Sequence, residues 1–143
     1  MEKVKIKKLN ENATIPKYQT FGAAGFDFHA TEHKVIMPGE TVLVGTGLSI
    51  ELPVLTELQV RPRSGMSLKT KIRVSNSPGT IDEDFRGEIK IILDNIGHLP
   101  YTVNIGDRIA QGVVSPVIQV IFEEVEELSD TTRGAGGFGS SGK

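Results

Sequence analysis

Residues 79–88, Gly-Thr-Ile-Asp-Glu-Asp-Phe-Arg-Gly-Glu, gather Asp82, Glu83, Asp84, Arg86 and Glu88 between two apolar stretches. A carboxylate held in a turn beside an arginine is suited to activating water, and the same composition also describes a solvated turn. Asp82 and Asp84, two residues apart, would share a face of a regular strand, so a D-x-D metal pair or a glycosidase pair is also open. A second cluster, Arg61-Pro62-Arg63-Ser64-Gly65, sets a guanidinium, a hydroxyl and a permissive glycine before a short helix. That arrangement suits a phosphate or carboxylate, or serves as an ordinary cap with surface arginines. The terminus from Arg133 is rich in glycine, with Phe138 and Ser140 among the glycines. Gly134, Gly136 and Gly139 satisfy a dinucleotide fingerprint and residues 137–143 most of a P-loop. Both motifs need a preceding buried strand and a following helix, and the sequence offers neither. What survives is backbone N–H groups, one charged fork and one stacking face.

Smaller signals are distributed along the chain. Asp27 and His29 lie on the polar side of an alternating stretch and read as exposed. Asp107 and Arg108 read as turn-forming, while Gln111 between Ala110 and Gly112 could project toward a ligand. His29, His33 and His98 lack metal-ligand spacing.

The elements that must position these groups are short strands. Val4, Ile6 and Leu9 alternate with lysines, as in an edge strand. Further strands are expected at 25–30, 41–52 with a bend at Gly45 and Gly47, 58–60, 72–74, 88–94, 101–104, 108–114 and 117–126. Residues 64–71 are the one stretch fit for a helix, with Ser64 as its cap. Turns fall at Pro38-Gly39, Pro78-Gly79, Ile96-Gly97 and Gly106-Asp107. This pattern is all-β: a sandwich, jelly roll or small barrel.

With 143 residues, 16 basic and 18 acidic side chains and a formal charge of −2, the chain fits one domain without a nucleic-acid or membrane-binding charge bias. It contains no cysteine, which removes thiol chemistry and disulfides and suits a reducing compartment. The N-terminus has no continuous apolar run, and the expected location is the cytoplasm.

In sequence order, Ala23-Ala24-Gly25-Phe26-Asp27, Arg63-Ser64-Gly65-Met66, residues 79–88, Gly106-Asp107-Arg108-Ile109-Ala110-Gln111 and residues 133–140 match five motifs. With them the chain resembles the homotrimeric dUTPases over nearly its whole length. The resemblance implies a distorted jelly-roll or β-clip-like barrel over residues 1–128, and a flexible arm over 129–143 that closes an active site shared between subunits. It implies hydrolysis of dUTP to dUMP and pyrophosphate with Mg2+ held on the phosphates. Such a reaction limits uracil incorporation into DNA and supplies dUMP for thymidylate synthesis.

Carried over by motif, Asp82 would be the base for the attacking water. Arg63, Ser64, Gly65 and Gln111 would hold phosphate oxygens, with Arg133, Gly139 and Ser140 adding contacts from the arm. Asn76, Gly79, Thr80, Ile81 and Lys90 would meet the nucleoside in a hairpin spanning 72–85, and Phe138 would stack on uracil. Asp27 would touch the metal through water. Phe85 stands where the family more often has tyrosine, so the flat ring against deoxyribose remains and the phenol is lost. Asp84, Arg86 and Glu88 are left as structural charges. Gly112, smaller than the residue common after Gln111, has no functional reading. The alternatives are a dCTP deaminase-like enzyme or a nucleotide-switched regulatory protein on the same fold.

Overall fold

The structure, a computed structural model, describes residues 2–140. Eleven strands and one short helix follow in the order β1 (Lys5–Lys8), β2 (Phe26–His29), β3 (Lys34–Ile36), β4 (Thr41–Gly45), β5 (Leu48–Glu51), β6 (Thr56–Arg61), α1 (Ser64–Lys69), β7 (Ile72–Val74), β8 (Gly79–Ile81), β9 (Lys90–Asn95), β10 (Tyr101–Val103) and β11 (Arg108–Pro116). The protein is all-β, as the punctuation by Pro-Gly and Asn-x-Gly turns requires.

Two sheets carry the body: β2-β11-β6-β8 and β4-β9-β7, with β1-β5 and β10-β3 as two-stranded ribbons. Strand β9 shows why the first pattern works. Ile91, Leu93 and Asn95 are buried while Lys90, Ile92 and Asp94 are not, the period-two signature of a central strand with one inner face. Leu58, Val60, Phe28 and Ala110 from one sheet join Val44, Ile91, Leu93 and Val74 from the other in a single apolar cluster. Buried Asn95 is satisfied. Its Nδ2 donates to Ile36 O (2.9 Å) and Leu99 O (2.8 Å), and its Oδ1 accepts from Gly97 N (2.9 Å).

Gly45 closes β4, Gly47 adopts φ +64, and a Cβ on Gly47 would fall 2.7 Å from Asn10 Nδ2, so the expected bend there is real.

Four sequence expectations change. Ser64 is not a cap; Arg63 holds the cap position without a side-chain cap bond, and Ser64 is the first helical residue. Strand β3 appears where only loop was expected, and β8 lies inside the expected hairpin; each is three residues long and too short to show a period. The 72–85 hairpin is instead a corner: β7 pairs with β9 and β8 with β6, so the turn through the cis Ser77–Pro78 bond carries the chain from one sheet to the other. No strand forms over 117–126. Ile118, Val120, Ile121, Phe122 and Val125 are all exposed, because a strand needs a partner for its backbone groups and this segment pairs with none among the described residues. Packing therefore ends near Val117, ahead of the compositional change at Ser129. No described helix is long and apolar enough to cross a membrane.

Candidate active site

Strand β8 lies at the end of its sheet and pairs with β6 on one side only, in the register Leu58↔Ile81, Gln59↔Thr80 and Val60↔Gly79. Its other edge pairs with no strand among the described residues, a ready hydrogen-bonding ruler for a planar ligand. Along that strand runs a cleft of about 240 Å3 lined by Asn76, Gly79, Thr80, Ile81, Phe85 and Lys90 together with Val60 and Leu43. These are six residues that the sequence assigns to one ligand. Gly79 is required by close approach: a Cβ there would lie 3.1 Å from Asn76 Nδ2 and 3.2 Å from Val60 Cβ. Phe85 folds back over Gly87, where a Cβ would fall 2.5 Å from the ring's Cζ, and its ring remains half-exposed toward the cleft.

Asp82 follows directly on Ile81. Its side chain is exposed and accepts no hydrogen bond among the described residues, so its lone pairs are open to water. The remaining charges of the turn do brace it in part. Arg86 Nη1 donates to Glu83 O (2.6 Å), Ser49 Oγ donates to Arg86 O (2.7 Å), and Glu88 Oε1 accepts from Gly47 N (3.0 Å). Glu88 Oε2 also lies 3.6 Å from Lys90 Nζ. Asp84 makes no such bond among the described residues, and Glu83, which the sequence did not distinguish, accepts from the amide of Leu55.

A second cleft, about 370 Å3, is lined by Arg63, Gly65, Met66, Lys69, Thr70, Tyr101, Gly106, Asp107 and Arg108. Arg63, Lys69 and Arg108 there outnumber the carboxylates of Asp107 and the adjoining Asp27 by three to two, a balance suited to an anion. Asp27 organises it. Far from being exposed, its side chain is only 14% accessible, with Oδ1 2.7 Å from Arg63 Nε and Oδ2 3.4 Å from Arg108 Nη1. With Nε committed to Asp27, the Nη groups of Arg63 have no partner among the described residues and are free for a ligand. A Cβ on Gly65 would meet nothing, so this chain's own packing does not demand glycine there and the backbone stands open. Lys69, Tyr101 and Arg108 were not anticipated in the site; Arg108 was read as part of a turn.

Strand β11 positions both halves. It runs between β2 and β6, with Gln111 opposite Asp27 on one side and Arg61 on the other. Gln111 Nε2 donates to Pro62 O (2.8 Å), holding the loop that carries Arg63. Gly25 allows this, since a Cβ there would fall 2.7 Å from Gln111 Oε1. Gly112 now has a structural reading: a Cβ would lie 2.6 Å from Phe26 and 2.8 Å from Phe28.

His29, also read as exposed, is half-buried with Nδ1 enclosed and unpartnered. Burial lowers its pKa and Asp27 opposes this, while Arg108 and Arg63 add to the lowering.

No residue lines both clefts, and no arm residue lines either. The arm turns on itself, with Arg133 Nε donating to Gly136 O (2.8 Å) and Ser140 N to Gly137 O (3.0 Å), and Phe138 fully exposed. The P-loop-like run extends through Ser141, Gly142 and Lys143, which lie outside the described residues. A larger groove of about 520 Å3, lined mainly by apolar groups including Val4, Ile6, Phe26 and Leu58, contains none of the expected site residues.

A sequence model of the dUTPase family matches residues 11–142. A deoxyuridine 5'-triphosphate nucleotidohydrolase of Nautilia profundicola is 57% identical over 141 residues, covering 99% of each chain. One from Helicobacter pylori strain J99 is 54% identical over 140 residues, with 98% of this chain and 97% of that protein covered. Among solved structures, a dUTPase of Staphylococcus bacteriophage 80alpha with dUpNHpp superposes with a TM-score of 0.94 at 27% identity, covering all of both chains. Near-complete coverage at such identity, together with the family model over residues 11–142, places this chain in the dUTPase family.

Proposed function

We propose that this protein hydrolyses dUTP to dUMP and pyrophosphate in a site assembled from copies of the chain. The observation that carries the reading is the cleft beneath the unpaired edge of β8, with an unencumbered Asp82 at the strand's end. Uracil would pair with the backbone of residues 79–81 and with Asn76, so that cytosine would present donors where acceptors are needed. Deoxyribose would lie on Phe85, whose ring leaves no room for a 2′-hydroxyl and supplies no phenol. Lys90 would approach the nucleotide from β9.

Water held by Asp82 would attack the α-phosphorus. As the new P–O bond forms, its proton passes to the Asp82 carboxylate, the α–β bridging bond breaks, and its electron pair leaves with pyrophosphate. Arg63, Ser64 and Gly65 would hold phosphate oxygens, with Gln111 fixing their loop. Asp27 holds the Arg63 guanidinium by Nε, and reaches a metal's water shell only with the lone pairs that Arg63 and Arg108 leave over.

The described residues contain no group of three carboxylate or imidazole donors that could form a cage. Mg2+ carried on the triphosphate would neutralise developing charge beside the cationic cleft.

Because the two clefts share no residue in one chain, the nucleoside cleft of one copy would face the cationic cleft of another. The arm would supply Arg133, Gly139 and Ser140 to the distal phosphates and Phe138 to the uracil face. A homotrimer meets this need. The exposed apolar segment 118–125 supports assembly, since such surface is poorly tolerated on a monomer. The absence of cysteine suits a reducing, cytoplasmic setting.

Turnover of dUTP in 18O-water tests the chemistry. The label should appear in dUMP and not in pyrophosphate. Label in pyrophosphate would move the attack to the β-phosphorus, and ammonia release from dCTP would replace the reaction with deamination.

A further inference from the structure

Three adjacent acids, Asp82, Glu83 and Asp84, look interchangeable in sequence, and the structure separates them. The carboxylates of Asp82 and Asp84 are exposed without hydrogen bonds among the described residues, whereas Glu83 is half-buried and its Oε2 accepts the backbone N–H of Leu55. Leu55 is an uncommon receiver. Its φ is +58, in the left-handed region that disfavours a branched side chain, and that side chain is 57% exposed, so packing does not account for the conformation. The residue uses both backbone groups, with N–H donated to Glu83 and C=O accepting from Val117 N (2.9 Å), the residue at which the chain leaves β11.

Asp82 is thus flanked by two anchors. On its N-terminal side the β8–β6 ladder fixes Ile81 against Leu58. On its C-terminal side Glu83 is pinned by its side chain to Leu55 and by its carbonyl to Arg86 Nη1 (2.6 Å). A carboxylate accepting a backbone amide makes a charge-assisted bond, stronger than a neutral one.

We infer that Glu83 is a positioning residue: through Leu55 it fixes the direction of the Asp82 carboxylate and ties that loop to the root of the C-terminal segment. The inference rests on Asp82 as the base. A loose anchor would let the carboxylate drift from the attacking water, and misplacement on the order of 1 Å lowers turnover by about 10²-fold. Ground-state binding of the nucleotide, made by β8 and by the cationic cleft, would not change.

The test uses the full-length protein with four variants. Glu83→Ala should lower kcat about tenfold or more with KM for dUTP and affinity for dUpNHpp within about threefold of wild type. Glu83→Gln keeps an acceptor oxygen and should recover kcat to within about threefold, and Glu83→Asp, one methylene short of Leu55, should be as slow as alanine. In amide NMR spectra the Leu55 proton should move upfield in Glu83→Ala, as expected for a lost hydrogen bond, and return toward its wild-type position in Glu83→Gln. Glu83→Ala turning over within about twofold of wild type, or Glu83→Gln as slow as Glu83→Ala, would overturn the inference. So would a loss of dUpNHpp affinity as large as the loss of kcat. Should Glu83→Ala fail to fold, the glutamine and aspartate variants decide by the same criteria. If Asp82→Asn still turns over, the base assignment fails; if Asp82→Asn is inactive and Glu83→Ala is fully active, the positioning role alone falls.

Discussion

Two aspartates at opposite edges of one sheet, one on β2 and one just past β8, differ because of what surrounds them. Asp27 is mostly enclosed and held between Arg63 and Arg108, so its charge is spent organising a cationic cleft. Asp82 stands in the open with no partner among the described residues. Asp82→Asn preserves size and hydrogen-bonding reach while removing basicity. It should bind dUpNHpp about as well as wild type and lose about 10²- to 10⁴-fold in kcat, measured by pyrophosphate release. The grouping was legible at the level of single residues in part: the ordered motifs marked Ile81, Phe85 and Arg63, and the resemblance added Asn76, all of which line one cleft or the other. The Asp27–Arg63 pair was not legible, because the partners are 36 positions apart and nothing local marks an aspartate on a polar strand face as half-enclosed. Glu83 was hidden for the same reason, since its partner is a backbone amide and carries no side-chain signal.

Strand β8 is the element on which the proposed recognition of the nucleoside rests. Three residues long and paired on one side, it was invisible to a period-two reading and yet lines the cleft proposed for the nucleoside. Longer strands such as β9 and β11 showed their alternation plainly. Along β11, Gly112 makes room for the edge-to-face pair of Phe26 and Phe28, whose ring centroids are 5.5 Å apart. Gly112→Ala should destabilise the fold by about 1–3 kcal/mol through forced repacking, visible as a lower denaturant midpoint with an unchanged slope. In the β4-β9-β7 sheet, hydroxyls of Ser75 and Thr41 hold the Asp94 carboxyl below its ordinary range. A carboxylate with a depressed folded pKa contributes stability above the unfolded value, and that contribution is lost as pH falls. Asp94→Asn should therefore lower stability at neutral pH and flatten its decline as pH falls through about 4, so that the two proteins converge in acid, followed by denaturant titration at several pH values.

For the whole molecule, the segment 117–126 explains why one chain is an incomplete account. Its alternation reads as a strand, and it pairs with no strand among the described residues. Val120 and Phe122 consequently lie exposed, as do Ile118 and Ile121. Sequence patterns report what a segment is fit to do, and a partner decides whether it does so. Light scattering should give a mass close to three times the 15.5 kDa chain. Ending the chain after Leu128 should leave that assembly intact and lower kcat/KM for dUTP by about 10²-fold, because only the closing groups are removed. A truncated protein with wild-type turnover would make the arm a bystander.

The account turns on a strand edge that reads uracil and an aromatic ring that reads deoxyribose, joined to hydrolysis at the α-phosphorus. Initial rates of pyrophosphate release with magnesium, compared for dUTP, UTP, dTTP and dCTP, test that claim most directly. The predicted result is a kcat/KM for dUTP at least about 10²-fold above each of the others. Comparable rates on all four nucleotides would contradict it.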